Sequence, residues 1–409
     1  MRVALVGPYP AQSPRSPSGD GVLASASPAG GVDAVVLALA RGLVQRGGLT
    51  LSVITAVPGL QETKSLEGEG YRVYCVPRPR GGRLTGQRQV VRNLCAQIDA
   101  VAPDIVHAHI AGVYGRAALD SGRAAVVTLH GIIYREMQQA WATSSWPARL
   151  RWLADARLER NVVRQARDIV AISPYVLTQV RVQRGAQFHL IENPVDDRFF
   201  ADVPPPPEAD RLLCVARVIP RKGILALIEA FAGIRRVRQN ATLDIVGEMD
   251  SHPGYVAECR ERARALGVDG AVKFAGALPI DQVRAQCAAC DLFVLASEQE
   301  TAPVSIAEAM AMGRAVVATD VGGCSAMVAE GVTGRIVPPR DPRAFADAVL
   351  ALLSDRALCA AMGQAARRAA QERFALRSVA DATAGLYGAI MDRNDQEREM
   401  RRTSDRGVH

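Results

Sequence analysis

The stretch DLFVLASEQETAPVSIAEAMAMG, Asp291 to Gly313, decides how this chain folds. Its first seven residues form a short apolar run without polar alternation, the pattern of a strand buried on both faces of a parallel sheet. A helix is expected from Thr301, with threonine as its cap, Pro303 in its first turn and Gly313 as its stop. Val304, Ile306, Ala307, Ala309, Met310, Ala311 and Met312 leave that helix almost no polar face, so it should be buried. Glu308 then sits where an unpaired carboxylate is costly or gives up its charge. Glu300, eight residues earlier, falls in the loop before the helix, where backbone N–H groups attract anions. A strand, a polar loop and a helix carrying a carboxylate make a ligand site at the C-terminal edge of a parallel sheet. The plainer alternative has Glu300 capping the helix and Glu308 meeting a structural arginine.

A chain of 409 residues should hold two domains, each able to bury a core. Hydrophobic content of 49% with 22% charged residues describes a soluble globular protein. The opening MRVALVGPYP is too short an apolar run for a signal peptide or a membrane span, so it reads as a first strand and the expected location is cytoplasmic. Lys64, Lys222 and Lys273 are the three lysines among 49 basic residues; the rest are arginines. The net charge of +7 favours anionic partners in general without selecting one, and no nucleic-acid motif accompanies it. Eight cysteines lie scattered, as reduced thiols do, and Cys287-x-x-Cys290 lacks the further ligands of a zinc site. His107-x-His109 places two imidazoles on one strand face, again without further ligands. No Asp-x-Asp clamp for a metal–nucleotide complex occurs, and no required metal is expected.

Strand and helix patterns alternate along the chain. Strands are expected at 2–7, 50–55, 72–76, 105–108, 125–129, 169–172 and 188–191, with helices notably at 32–46 and 87–100. Four consecutive prolines, 204–207, mark a linker. A second series follows at 211–216, 243–246, 272–275, 291–296, 315–319 and 335–337. The domains are therefore drawn as 1–193, a linker 194–209, a second domain 210–375, a helix 376–392 returning to the first domain, and a disordered charged tail 393–409. Two doubly wound, Rossmann-like α/β domains facing across a cleft is the expected fold class.

Three signals point into that cleft. Arg217 and Lys222, in VARVIPRKG, offer two cations just after the second domain's opening strand, suited to a phosphate or diphosphate; a solvated basic turn is the alternative. Gly30 and Gly31 open a helix where backbone can approach a bulky or anionic ligand. The match to a dinucleotide fingerprint at Gly19-Asp-Gly21-Val-Leu-Ala24 is spurious, because the strand has already ended at Gly7. His130 ends a buried strand in VVTLHGI, as a satisfied structural group or as one facing substrate.

Together these segments resemble the retaining glycosyltransferase family 4, of GT-B fold, whose signature is a Glu-x7-Glu pair. Besides SEQETAPVSIAEAMAMG, the segments ALARGLVQRG after Gly30–Gly31, PDIVHAH, IENPVD, VARVIPRKGILALIEAF, IVGE, VKFAGAL, ATDVGG and GVTGRIVPPRDP are similar to that family's landmarks, in order. The resemblance implies a nucleotide-diphosphate-sugar donor as substrate, no separate cofactor, and transfer of a hexose-type sugar with retention of configuration. Carried over by position, Arg217 and Lys222 hold the diphosphate, Glu308 the ribose hydroxyls and Glu300 the sugar hydroxyls. His130 sits near sugar and acceptor, and Gly30 and Gly31 leave room for the diphosphate. Ala302, Pro303 and Val304 border the donor sugar, and here Thr301-Ala302-Pro303 replaces the family's common Pro-Phe-Gly, so the sugar's identity does not carry over. Two other classes share the architecture: a sugar-nucleotide epimerase and a non-catalytic nucleotide-sugar sensor.

The acceptor, a glycan, a lipid-linked molecule or a small molecule, is expected on the first domain. Trp141, Trp146 and Trp152 precede or interleave with Arg149, Arg157, Arg160, Arg164 and Arg167, which read as one helical stripe. Like charges at these spacings repel, and an anionic surface lying on them relieves the cost, so Trp146 to Arg167 is a candidate for peripheral contact at the inner face of an anionic membrane. Asp155 and Glu159 spoil the opposite face, and a solvated stripe packed by tryptophans is the alternative.

Overall fold

Short runs of valine, isoleucine, leucine and alanine set the strands of the first sheet in the computed structural model, which describes residues 1–10, 31–79, 87–141, 144–201 and 210–406. Gly30, the Gly19-to-Ala24 stretch and the prolines 204–207 lie outside the described residues. The first domain runs β1 (Arg2–Val6), α1 (Val32–Arg46), β2 (Thr50–Pro58), β3 (Lys64–Glu67), β4 (Arg72–Arg78), α2 (Arg88–Val101) and β5 (Ile105–His109). It continues through α3 (Val113–Asp120), β6 (Ala124–Leu129), α4 (Ile133–Ala140), α5 (Trp146–Gln165), β7 (Asp168–Ala171), α6 (Pro174–Gln179) and β8 (Gln187–Leu190). Its strands order as β3-β4-β2-β1-β5-β6-β7-β8, and their pairings are parallel except at the β3 edge. Strand β3, a polar KSLE hairpin partner of β4, escapes the sequence pattern because it has no apolar face to reveal it. The central strand β5 is buried along its whole length, as helices on both faces of a parallel sheet require.

The second domain repeats the plan. It comprises β9 (Arg211–Val215), α7 (Ile224–Val237), β10 (Thr242–Val246), α8 (Pro253–Ala265), β11 (Val272–Gly276), α9 (Ile280–Ala289) and β12 (Leu292–Leu295). Then come α10 (Val304–Ala311), β13 (Ala315–Thr319), α11 (Cys324–Met327), β14 (Gly334–Val337), α12 (Pro342–Ser354) and α13 (Arg356–Arg373). The strand order is β11-β10-β9-β12-β13-β14, all parallel. In each sheet the order reverses once, between β1 and β5 and between β9 and β12. Crevices open at the carboxyl ends of strands at such reversals.

Helix α14 (Leu376–Arg406) ties the halves together, leaving the second domain and packing on α1 and the first sheet. Gly42 of α1 permits the close approach, since a Cβ there would lie 2.9 Å from Leu376 Cγ. Tyr387 is fully buried, its hydroxyl 2.6 Å from His107 Nδ1, while His107 Nε2 meets Thr128 Oγ1 at 2.6 Å. The helix does not stop where a disordered tail was expected, at 393, but continues to Arg406. One turn apart, Arg393 pairs with Asp168 and Glu397 with Arg167, so charges that look unsatisfied in sequence find partners on the first domain. Composition alone cannot reveal this, because it counts charges without their distant partners.

Tyr387→Phe should lower the apparent melting temperature by a few degrees, because His107 Nδ1 is left buried without a partner, at a cost of about 1–2 kcal/mol. Thermal melts check this; an unchanged melt would show that the hydroxyl contributes nothing.

Candidate active site

The carboxyl edges of the two sheets face each other across a cleft of about 330 Å³. From the first domain Gly31, His130 and Asn193 reach it; from the second come Arg217, Lys222, Glu300, Ala302, Pro303, Val304 and Glu308. Every described residue singled out above for donor contact therefore lines one cavity. Gly30 alone falls outside the described residues.

The Glu300 loop is held by its surroundings rather than by the helix that follows. Helix α10 begins at Val304 with Pro303 as its N-cap and no side-chain cap, so Thr301 does not cap it. The reason is local: the residue before a proline is driven towards extended backbone, which moves the cap from Thr301 to Pro303. The Thr301 carbonyl instead accepts a hydrogen bond from Ser173 Oγ of the first domain, buried and 2.7 Å long. On the other side Gly322, at φ 57°, lies under the loop; a Cβ there would come within 1.6 Å of the Glu300 carbonyl oxygen. Only glycine fits that turn.

Glu300 does not cap α10 either. Its carboxylate, 4% exposed, accepts from Lys222 Nζ at 2.5 Å and Ser297 Oγ at 2.6 Å, with Arg221 Nη1 3.9 Å away. Burial by itself would raise its pKa, but Lys222 and Arg221 outweigh that and hold the carboxyl below its ordinary range. Arg221 was not singled out from the sequence; it sits beside Lys222 and looks like part of the same basic turn. Arg217 is exposed and lines the cleft; its positive charge helps hold the nearby Glu248 carboxyl below its ordinary range, after the Ser251 hydrogen bonds that do most of that work.

Glu308 meets no structural arginine. Its carboxylate has no side-chain partner among the described residues, and burial, with Asp196 nearby, pushes its pKa up to about 7. Gly31, at φ 126°, caps α1 without a side chain, so the first N–H groups of that helix come close to the cleft. The far wall is apolar, with Val215, Val246, Leu278 and Val283. Glu248, in the IVGE segment, and Asn193, in IENPVD, also line the cleft, and neither was singled out from its residue type or position in the chain.

His130 lies against His109, Nε2 to Nδ1 at 2.8 Å, and burial depresses its pKa to about 4, with the Asn193 side chain opposing slightly. Cys287 and Cys290 are buried free thiols. The arginine stripe is shorter than its spacing suggests: α5 ends at Gln165, and Arg167 lies beyond it, paired to Glu397. Arg149 leans on Trp141, its guanidinium carbon 5.3 Å from the ring centroid. Glu159 turns inward and accepts from the Ile133 and Tyr134 N–H groups that open α4.

This architecture and cleft define a two-domain GT-B protein. A family model described as "Glycosyltransferase Family 4" matches residues 29–199 and one described as "Glycosyl transferases group 1" matches residues 209–355, and the chain belongs to the family 4 glycosyltransferases. A Mycobacterium tuberculosis GDP-mannose-dependent alpha-(1-6)-phosphatidylinositol monomannoside mannosyltransferase is 35% identical over 39% of this chain; the match spans 42% of that relative's length. Among solved structures, sucrose-phosphate synthase from Thermosynechococcus elongatus superposes with a TM-score of 0.77 at 21% identity, covering 96% of this chain and 99% of that one. The Anabaena protein HepE, solved with UDP and glucose, gives 0.69 at 21% identity over 94% and 99%.

The raised pKa of Glu308 makes a signed prediction. A folded value above the ordinary 4.5 means that its contribution to stability is present below pH 4.5 and is lost as pH rises through 7. Glu308→Gln, neutral throughout, should therefore match the ligand-free wild type near pH 4 and exceed it above pH 7, by on the order of 1–3 kcal/mol. Melts at both pH values measure this, and equal gains at both would contradict it.

Proposed function

We propose that this chain is a metal-independent, retaining glycosyltransferase that moves a hexose-type sugar from a nucleoside diphosphate donor to a hydroxyl-bearing acceptor. The observation that carries the reading is the convergence of Glu300, Lys222, Arg217 and Glu308 on one interdomain cleft. When the sugar leaves, negative charge grows on the diphosphate, and fixed cations already aimed there lower the barrier without reorganising. Arg217 and the free N–H groups of Lys222 meet that charge, assisted by the opening N–H groups of α1 at Gly31. No divalent ion is needed for that neutralisation. Glu308 takes the ribose hydroxyls, Glu300 the sugar hydroxyls, and the apolar wall at Leu278 and Val283 the nucleobase.

Support also comes from HepE, solved with UDP and glucose, and from the mannosyltransferase relative whose name gives GDP-mannose as donor. The acceptor enters from a second cavity of about 360 Å³ at the β1–β5 reversal, lined by Asp33, Arg78 and Tyr114. The two cavities adjoin at the first turn of α1, where Val32 and Ala34 face one and Asp33 the other.

A peripheral lipid contact belongs to the same reading. On α5, Trp146, Leu150 and Leu153 are 69%, 49% and 47% exposed, and Arg157, Arg160 and Arg164 continue the same face at spacings of three and four residues. An apolar patch leading into a row of cations suits an anionic bilayer surface. No described helix is long and apolar enough to cross a membrane.

A thermal-shift panel of nucleotide sugars, with and without EDTA, tests the donor site. One sugar nucleotide should raise the melting temperature in a concentration-dependent way, unaffected by chelation, and Arg217→Ala and Glu308→Ala should each abolish the shift. Product analysis then separates the classes: slow hydrolysis fits a transferase, a changed sugar an epimerase, and binding without turnover a sensor. For the surface, wild type should co-sediment with vesicles containing phosphatidylglycerol but not with pure phosphatidylcholine. Both Trp146→Ala/Leu150→Ala/Leu153→Ala and Arg157→Ala/Arg160→Ala/Arg164→Ala should lose at least tenfold in binding; equal binding by all three proteins would remove the contact.

A further inference from the structure

The sequence Ser173-Pro174 is a helix-start signal, with serine as cap and proline in the first position. A serine so placed ordinarily turns its hydroxyl to the free N–H groups of its own helix. Ser173 heads α6 but makes no side-chain bond to it. The residue is 1% exposed, and its Oγ donates to the Thr301 carbonyl of the second domain, 2.7 Å away. Thr301 directly follows Glu300 in the loop from β12 to α10. A hydroxyl suited to a local cap is thus spent on the other domain.

The neighbouring chain makes room for this bond. Gly323, in the turn after β13, lies against both partners: a Cβ there would stand 2.0 Å from the Thr301 carbonyl oxygen and 2.9 Å from Ser173 Oγ. Its φ of −92° suits any residue, so space and not backbone freedom calls for glycine. Ala302, next in the loop, packs against the apolar cores of both domains. The other side chains that bond the loop belong to the second domain: Lys222 and Ser297 reach the Glu300 carboxylate, and Arg221 the Gln299 carbonyl. Among the described residues, Ser173 supplies the one hydrogen bond to this loop from a first-domain side chain.

That division separates two tasks. The side chains assigned to the diphosphate and the ribose, Arg217, Lys222 and Glu308, all stand on the second domain and keep their mutual spacing wherever the first domain sits. Glu300 and His130 stand on opposite walls, and a sugar held between them needs both walls in register. A misplacement of about 1 Å can cost on the order of 10²-fold in rate. We propose that Ser173 is a positioning residue: by donating to the Thr301 carbonyl it registers the Glu300 loop against the His130 wall. The sugar between the walls rests on the function proposed above, whereas the registration is a property of the free protein.

Ser173→Ala removes the hydroxyl and adds no bulk. In the ligand-free full chain, amide hydrogen exchange over residues 298–303 should quicken at least fivefold, while exchange over β10 stays within twofold. Titrated with UDP or GDP, whichever the wild type binds, the variant should bind within twofold of wild type. In acceptor-free hydrolysis of UDP-glucose and GDP-mannose, its kcat should fall at least tenfold with KM within threefold. A loss of packing alone would not produce that split. Unchanged exchange over 298–303, or wild-type kcat on a sugar nucleotide that the wild type turns over, overturns the proposal. So does a tenfold loss of diphosphate affinity, which would mark a general loosening of the second domain. Failure of the wild type to turn over either sugar nucleotide counts against the transferase reading, while the exchange measurement still decides the registration.

Discussion

Glu300 can remain an anion in a site almost closed to water only because Lys222 reaches it from another loop. A buried carboxylate left alone would take up a proton, and removing one member of such a pair typically costs about 3–5 kcal/mol. Here the ammonium and the Ser297 hydroxyl both bond the same oxygen, Oε1, while Arg221 stands off the other at 3.9 Å. The loops after β9 and β12 are thus locked together across the second domain's strand reversal. Gly322 supports the arrangement from below, and Ser173 extends it into the first domain by bonding the Thr301 carbonyl. The cleft wall is therefore built before any ligand arrives, which is what electrostatic assistance to a departing anion requires.

Two further contacts set the first domain against that wall. Arg373 of α13 bonds Glu192, at the end of the first domain, with Nε to Oε2 at 3.0 Å. Helix α14 then crosses and inserts Tyr387 beneath the first sheet, where its hydroxyl meets His107. From Tyr387 through His107 and His109 to His130, polar and stacking contacts run from the crossover helix to the cleft without a gap. The helix that joins the domains thus also supports the first domain's contribution to the site.

The alternation of apolar and amphipathic runs made the two sheets legible, because strands buried on both faces cannot hide their composition. Strand β3 was not legible, since a polar edge hairpin carries no such mark. The carboxylate spacing and the strand-end position of His130 pointed to one cavity, yet the partners of those groups did not show. Glu300 binds Lys222 and Ser297 rather than helix N–H groups, a contact 78 residues away in sequence for the lysine. Arg167 looked like the end of a helical stripe until α5 stopped two residues short and its charge turned to Glu397. Such pairings depend on how elements cross, and local periodicity carries no information about crossings.

The charges are unevenly divided between the two walls, and the division follows the chemistry. Of the described residues lining the cleft, Arg217, Arg221 and Lys222 all belong to the second domain. The first domain presents no cation: it offers the neutral ring of His130, the Asn193 amide, the helix opening at Gly31 and the Glu136 side chain. A diphosphate meeting such a cleft is drawn to one side only, since full charges outweigh neutral dipoles at equal distance. On the proposed function, a first-domain wall without cations leaves that side to hydroxyl groups, which need directional donors and acceptors rather than counter-ions. On the proposed donor placement, a cationic histidine there would compete with Arg217 and Lys222 for the phosphates, and burial favours the uncharged ring of His130.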